Sequence, residues 1–495
     1  MRNRTKVELV VAISFIMILT SINVLSITRT ISDTGDTVDT YIRNSKGNYW
    51  AATGANLQLA IYDLANQSGT VWLPSGTIYF STTVYLTSNI HLQGAGMYST
   101  ILRESGSGDL TRLVCCNKHN VIISDFTVHG NNTRSGGAQT NNIPIDFRGL
   151  QNVTIYNIRV IYSSDSGLTF YALALAEYGN IDVGYGVKNF SIDNYEVYCI
   201  EGHGLQLGNA YDGTINNYRG NFITNDGMDS SGSYNITCSN FRLRNISVDG
   251  IKFTASVGSS NIQLNNINIE SNGMGLKIDT LVKNVNVNNI IIKPGSWGIH
   301  IRCTGTNGHV NINNFLISGG TIGIKTDSSS INNVTISNGE IIGGNIAGDI
   351  GIALGATKDM DINNVRISKT PGRGIYFLTS SRVKIIGCTI LGGSYFGSIQ
   401  AISNNNFTIS DCYVIGNNDV GYGGINISGA TSKNFKILGN TIENNHQFGL
   451  RIFDSGIVNF IIANNIIRIV GAGHLTLDDK SACAAANNVT ANNLT

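Results

Sequence analysis

Ten glycine-led segments patterned on Gly-Φ-x-Φ (Φ, apolar), with Ser230 and Thr326 in the last place of two, recur between Gly204 and Gly449 and alternate with Asn-rich segments patterned on N-x-x-Φ-x-N-x-x-Φ. The repeat is too short to enclose a core by itself, and its apolar residues alternate with a period of two. Together these observations predict an all-β chain, a right-handed parallel β-helix solenoid with a short N-terminal capping helix, because only stacking of many coils buries the Ile and Leu positions.

The glycine steps support that register. From Gly204 to Gly227 and Gly250 the step is 23, to Gly275 it is 25, and to Gly298 it is 23 again. A step of 28 from Gly323 to Gly351 reads as an insertion. Propeller blades need about 40 residues, and a leucine-rich L-x-x-L-x-L signature is absent.

In chain order, residues 1–27 read as a signal peptide or membrane anchor, since Arg2, Arg4 and Lys6 precede an apolar run from Leu9 to Ile27. The chain is therefore expected outside the cell, secreted or anchored at its surface. Residues 28–50 are polar and read as a linker. Residues 51–119 form an N-terminal cap and first coils, with a helix over 55–65 whose face carries Leu57, Ile61 and Leu64. Residues 120–470 are the repeats, and 471–495 a tail or cap. A helix ahead of the first coil covers an otherwise open end of unpaired strands.

Composition narrows the function. Charged residues are 13% of the chain and the net charge is +1, which excludes a broadly basic nucleic-acid binder. With 57 Gly but only 4 Pro, collagen-like and Pro-rich readings fail. The 8 Cys contain no C-x-x-C pair, so zinc and thioredoxin-like sites are not indicated. Cys388 and Cys412 occupy equivalent repeat positions and could stack as thiols or pair; stacked, buried thiols are the expectation. They share their place with the turn residues Asn194, Asn217, Asn240, Asn266, Asn289, Asn314, Asn338, Asn364, Asn440 and Asn465. Asn tolerates left-handed turns, and its amide both donates and accepts, so a column of Asn satisfies itself between coils.

Adjacent coils lie about 4.8 Å apart, so equivalent positions become neighbours. The residue before each glycine gives the row His203, Asp226, Asp249, Met274, Trp297. The outward x of Gly-Φ-x-Φ gives Gln206, Asp229, Lys252, Lys277, His300, Lys325. With Arg302 these rows are expected to bring His203, Asp226, Asp229, Asp249, Lys252, Lys277 and His300 into one patch, a concentration of charge in a chain with only 13% charged residues. Carboxylates on neighbouring coils raise each other's pKa, so one acts as acid while another acts as base. Asp226, Asp229 and Asp249 are thus candidate acid and base, and His203 a candidate proton partner. Gln206, Lys252, Lys277, His300, Arg302 and Lys325 are candidate substrate-binding residues, able to hold the carboxylates of an acidic sugar chain. The plain alternative is that outward residues of a solenoid are polar because they face water. Ca²⁺ on the carboxylates is a lesser alternative, as no calcium-loop pattern is present; no cofactor is expected.

The segments Gly69-Thr-Val-Trp-Leu-Pro74-Ser-Gly76-Thr and Ser88-Asn-Ile-His-Leu-Gln-Gly94-Ala-Gly96 resemble the opening of pectate-lyase-superfamily proteins. That resemblance implies a β-helix that cleaves, epimerises or merely binds polysaccharide, or serves in a phage tailspike. A finer likeness is to polygalacturonases. Thr224-Asn-Asp226-Gly, Val248-Asp249-Gly, Gly273-Met274-Gly and His300-Ile-Arg302 stand where that family carries Asn-Thr-Asp, Asp-Asp, Gly-His-Gly and Arg-Ile-Lys. One aspartate of the pair is Val248 here and the histidine is Met274. A Gly202-His203-Gly204 occurs on an earlier coil. The expectation is an extracellular glycoside hydrolase or lyase on an acidic glycan, with a non-catalytic glycan-binding or structural surface protein as the alternative; oligomeric state is left open.

Overall fold

The computed structural model describes residues 40–491 apart from 106–112, 131–142, 164–167, 172–185, 255–258, 280, 303–307, 328–330, 345–347, 393–396, 416–422, 446–447, 455, 470–476 and 480–488. All lie in the compact unit Asp39–Thr495. The expected targeting segment 1–27 lies outside the described residues. No helix among the described residues is long and apolar enough to cross a membrane.

The chain is a right-handed parallel β-helix. Each coil of the central repeats contributes one long bent strand and one short glycine-led strand. The long strands, such as Tyr211–Ile223, Tyr234–Ile246 and Ser260–Ser271, stack in register: Ile215 on Cys238, Cys238 on Leu264. The short strands Leu205–Gly208, Met228–Ser231, Ile251–Thr254, Leu276–Ile278, Trp297–Ile301 and Ile322–Thr326 belong to a second, 16-stranded sheet. Between the sheets runs one continuous core of Ile, Leu, Val and Phe columns. Burying one such side chain contributes roughly 1.5–3 kcal/mol, and no coil achieves that burial alone.

The glycine leading each short strand is dictated by close approach. A Cβ on Gly250 would lie 2.2 Å from Ile269 Cγ2 and 2.6 Å from the carbonyl oxygen of Gly275. The corners between legs of the long strand are made by residues at positive φ, Asn235 (54°), Asn240 (60°) and Asn245 (50°) in one coil. Their amides form ladders along the axis, for example Asn266 Nδ2 to Asn240 Oδ1 at 3.2 Å and Asn289 Nδ2 to Asn266 Oδ1 at 3.1 Å.

Several expectations about boundaries change. The capping helix spans Gly54–Asp63, with the Thr53 hydroxyl accepting from the Asn56 N–H, and it buries Leu57 and Ile61. Residues 41–50 are not linker: Tyr41–Asn44 pairs antiparallel with Tyr49–Ala51 and with Gly69–Trp72. Coil stacking is present in the first coils of 51–119, where Gly69–Trp72 pairs parallel with Ile90–Gln93. It continues past 470, where Leu477–Asp479 and Val489–Ala491 pair onto Phe448–Ile452 and Val458–Ala463.

The Asn column also divides. Asn194 through Asn364 sit at positive φ, but the corner then passes to Gly387, Asp411, Gly439 and Asn464. Cys388, Cys412, Asn440 and Asn465, one residue further on, form a separate buried column. In it the Cys412 N–H donates to Asn440 Oδ1 at 3.0 Å and the Asn440 N–H to Asn465 Oδ1 at 3.0 Å. In these coils the long strand splits into two, as in Ser381–Ile386 and Thr389–Leu391, and the residue after the corner turns inward. Cys388 and Cys412 are free, buried thiols.

Candidate functional site

Both rows read from the repeat are real columns. In the second sheet Gln206 pairs with Asp229, Asp229 with Lys252, Lys252 with Lys277, Lys277 with His300, and His300 with Lys325. The row before the glycines is tied coil to coil by backbone bonds: Gly204 N–H to Asp226 O, Gly227 N–H to Asp249 O, Gly250 N–H to Met274 O.

Inside this face, four side chains converge. His203 Nδ1 lies 3.3 Å from Asp226 Oδ2, and Lys252 Nζ lies 3.3 Å from the same oxygen. Lys252 Nζ also stands 3.9 Å from Asp229 Oδ1. One ligand atom each from His203, Asp226 and Asp229 falls within a 4.8 Å span. The Asn225 amide contacts His203 Nε2 at 3.2 Å. A divalent cation bound by that trio would sit against the Lys252 ammonium, so the cluster already contains its positive charge.

The carboxylates are not equivalent. Asp226 is fully buried, and its Oδ1 accepts the backbone N–H of Asp249 at 3.0 Å. Asp249, 5% exposed, repeats the motif by accepting the Met274 N–H at 3.2 Å. Both therefore tether the next coil's backbone, as capping aspartates do. Asp229 keeps 15% of its side chain in solvent, as does His203.

Their protonation follows from these surroundings. Burial pushes the Asp226 carboxyl up, but the His203 bond, the Lys252 charge and the Asp249 N–H outweigh it and hold it below the usual carboxylate range. Burial raises Asp229, only partly opposed by Lys252. Burial and then the Asp226 charge raise Asp249. Burial disfavours the Lys252 ammonium, yet Asp226 and Asp229 hold its pKa above the ordinary value.

Two buried tyrosines brace this region from inside. Tyr195 and Tyr218 stack at 5.4 Å, and their hydroxyls donate to the carbonyls of Gly204 (3.2 Å) and Gly227 (2.7 Å). A Cβ on Gly204 would stand 2.0 Å from the Tyr218 hydroxyl, so the glycine makes room for the brace. The apolar periodicity marks these positions as core without revealing that they carry a polar task.

The second half of the face differs from expectation. Lys277, His300, Arg302 and Lys325 were expected to hold acidic sugars, but each meets an aspartate of this chain. Lys277 Nζ lies 3.5 Å and Arg302 Nη1 3.7 Å from Asp279. Lys325 Nζ lies 3.0 Å and His300 Nε2 2.6 Å from Asp327. Lys325 also covers the Trp297 ring at 3.8 Å, and His300 packs edge-on against it at 4.6 Å. Sequence reasoning missed Asp279 and Asp327. Both stand two residues after x, on the same face by the period-two rule, so extending the row by one alternation finds them.

A family match over the C-terminal part of the chain agrees with a β-helix. Residues 320–494 match a family model described as a right handed beta helix region. No curated protein matches the chain. Among solved structures, the catalytic domain of a GH87 alpha-1,3-glucanase in complex with nigerose is similar with a TM-score of 0.40 and 15% identity, over 83% of this chain and 67% of that one. The N-terminal fragment of bacteriophage Phi29 gene product 12 gives 0.46 and 18%, over 86% and 69%. The A-module of the Azotobacter vinelandii mannuronan C-5 epimerase AlgE6 gives 0.36 and 15%, over 89% and 94%.

Proposed function

We propose that this chain is an exported polysaccharide-active protein that cleaves glycan chains at the His203–Asp226–Asp229–Lys252 cluster. One observation carries the reading: a partly exposed carboxyl, Asp229, is raised by burial beside a sealed carboxylate, Asp226, that is held ionised. Two carboxyls pushed in opposite directions supply a proton donor and a fixed negative charge at one pH. Asp229 protonates the glycosidic oxygen. The Asp226 charge, 3.3 Å from His203 Nδ1, favours the proton on that nitrogen and so leaves the other ring nitrogen as the base, after substrate or water displaces the Asn225 amide. Lys252 keeps Asp226 ionised. Asp226 and Asp249 act as positioning residues, in place of the acid and base roles expected from their row.

With water as nucleophile the outcome is hydrolysis; with a proton abstracted beside a uronate carboxylate it is β-elimination. The pairing of Lys277, Arg302 and Lys325 with Asp279 and Asp327 weakens the case for an acidic substrate, so neutral glucans belong beside polyuronates in the assay. Purified protein is expected to shorten at least one polysaccharide in such a panel. Asp229→Asn is expected to lower the rate at least about 100-fold while leaving unfolding cooperative. New absorbance at the unsaturated-uronate band identifies elimination. A wild type that binds a glycan and never shortens one establishes the second reading, binding without cleavage, which the complete burial of Asp226 favours.

A further inference from the structure

A row of four rings, two of them exposed, runs from His129 on an earlier coil to Tyr198 and Phe222 on the coils that carry His203 and Asp226. His129 and Tyr162 have centroids 5.1 Å apart, Tyr162 and Tyr198 6.0 Å, and Tyr198 and Phe222 5.5 Å, the last two pairs edge to face. Tyr162 is 39% and Phe222 48% exposed. Phe222 lies four residues before Asp226, and Tyr198 five before His203.

The backbone beneath the row is unusual. Pairing of Ile161 with Tyr198, Tyr198 with Asn221, and Asn221 with Arg244 places Tyr162, Cys199, Phe222 and Asn245 in one corner column. All four have positive φ: 55°, 55°, 56° and 50°. Asn suits that conformation and occupies most of the corners of this fold; bulky aromatic residues there are outliers. Two coils thus hold strained backbone to present an aromatic side chain to solvent, where burial returns little. Strain kept without a packing return is a mark of a functional surface.

We infer that this row is a binding track for a glycan chain, its rings meeting the C–H faces of successive sugars. The inference rests on the glycan reading above but not on catalysis. The coil spacing of about 4.8 Å approximates the advance of one sugar along an extended chain. Groups suited to sugar hydroxyls flank the rings: Glu196 accepts from the Tyr98 hydroxyl at 2.8 Å and pairs with Arg219 at 2.8 Å, and Arg159 stands 5.4 Å over the Tyr98 ring. A row one side chain wide is too narrow for the roughly 800 Å² per partner of a stable protein interface.

Phe222→Asn and Tyr162→Asn decide the matter, since each installs the residue the corner prefers. Binding of α-1,3-, α-1,4- and β-1,4-glucan hexasaccharides and a mannuronate hexasaccharide is measured by calorimetry, and melting by circular dichroism. The expected result is affinity for at least one hexasaccharide, weakened roughly five- to ten-fold in each variant, with a melting temperature equal to wild type or about 1–2 °C higher. Wild-type binding that both variants retain in full overturns the track alone. No binding by wild type overturns the track and the glycan reading together. A fall in melting temperature in both variants makes the rings structural and overturns the inference. So does a wild-type dimer that both variants abolish without any change in glycan affinity.

Discussion

The ionisable face has two halves built on the same repeat positions, and they differ in kind. Around His203–Lys252, acids outnumber cations, Asp226 has no solvent, and backbone N–H groups are drawn into the network. Around Lys277–Asp327, every cation meets a carboxylate, with Lys277 and Arg302 sharing Asp279 and His300 and Lys325 sharing Asp327, and Asp327 keeps 34% of its side chain in water. Stacking alone therefore brings charges together without fixing what they do. The unbalanced, desolvated half forces its carboxyls apart in pKa, whereas the matched half screens itself. Chemistry is expected from the first and modest stability effects from the second.

The largest effect that tests this contrast is at Asp226. Asp226→Ala strands the Lys252 ammonium and removes the acceptor for the Asp249 N–H, and is expected to cost about 3–5 kcal/mol in denaturant unfolding. Adding Lys252→Met should recover much of the loss, because the buried charge left behind is the main penalty. A loss under about 1 kcal/mol for the single variant would show that the two halves are energetically alike.

A smaller and directional effect comes from pH. Asp226 is held below its ordinary value of 3.8, so its contribution is present above that pH and is lost as pH falls through the lower, folded value. Asp229 is raised above 3.8, so the wild type gives up stability as pH rises from 3.8 through the folded value. Asp229→Asn should accordingly be more stable than wild type at pH 7, and that gain should vanish near pH 3. Stability differences against wild type for Asp226→Asn and Asp229→Asn should thus slope in opposite directions over the acid range. Parallel slopes would put both carboxyls in one environment.

Much of this was readable from the repeat. The glycine spacing foretold the register of Gln206, Asp229, Lys252, Lys277, His300 and Lys325, because Gly204 to Gly323 leave room for only one stacking. What the repeat does not encode is depth. Asp226 and Asp229 flank one glycine three residues apart, yet one faces a neighbouring coil's backbone and the other faces outward. Nor does periodicity separate Asn364 at an open corner from Asn440 inside, since the shift arises where a long strand breaks in two. Nothing in the repeat marks Phe222, whose φ of 56° sets it at a corner.

The smallest effects belong to the matched half and set the contrast most sharply. Arg302 is 46% exposed and its partner Asp279 is shared with Lys277, so Arg302→Ala leaves the carboxylate paired. A change within about 0.5 kcal/mol is expected. Lys325→Ala also loses the contact over Trp297 and should cost up to about 1 kcal/mol, part of it already absent in high salt. Lys252→Ala, by comparison, leaves two desolvated carboxylates without their cation and should cost more than either, with little dependence on salt because water and ions reach the pair poorly. Equal losses for Lys252→Ala and Lys325→Ala, with equal salt dependence, would mean that burial of Asp226 does not set the first half apart, and the case for chemistry at Asp229 would fall with it.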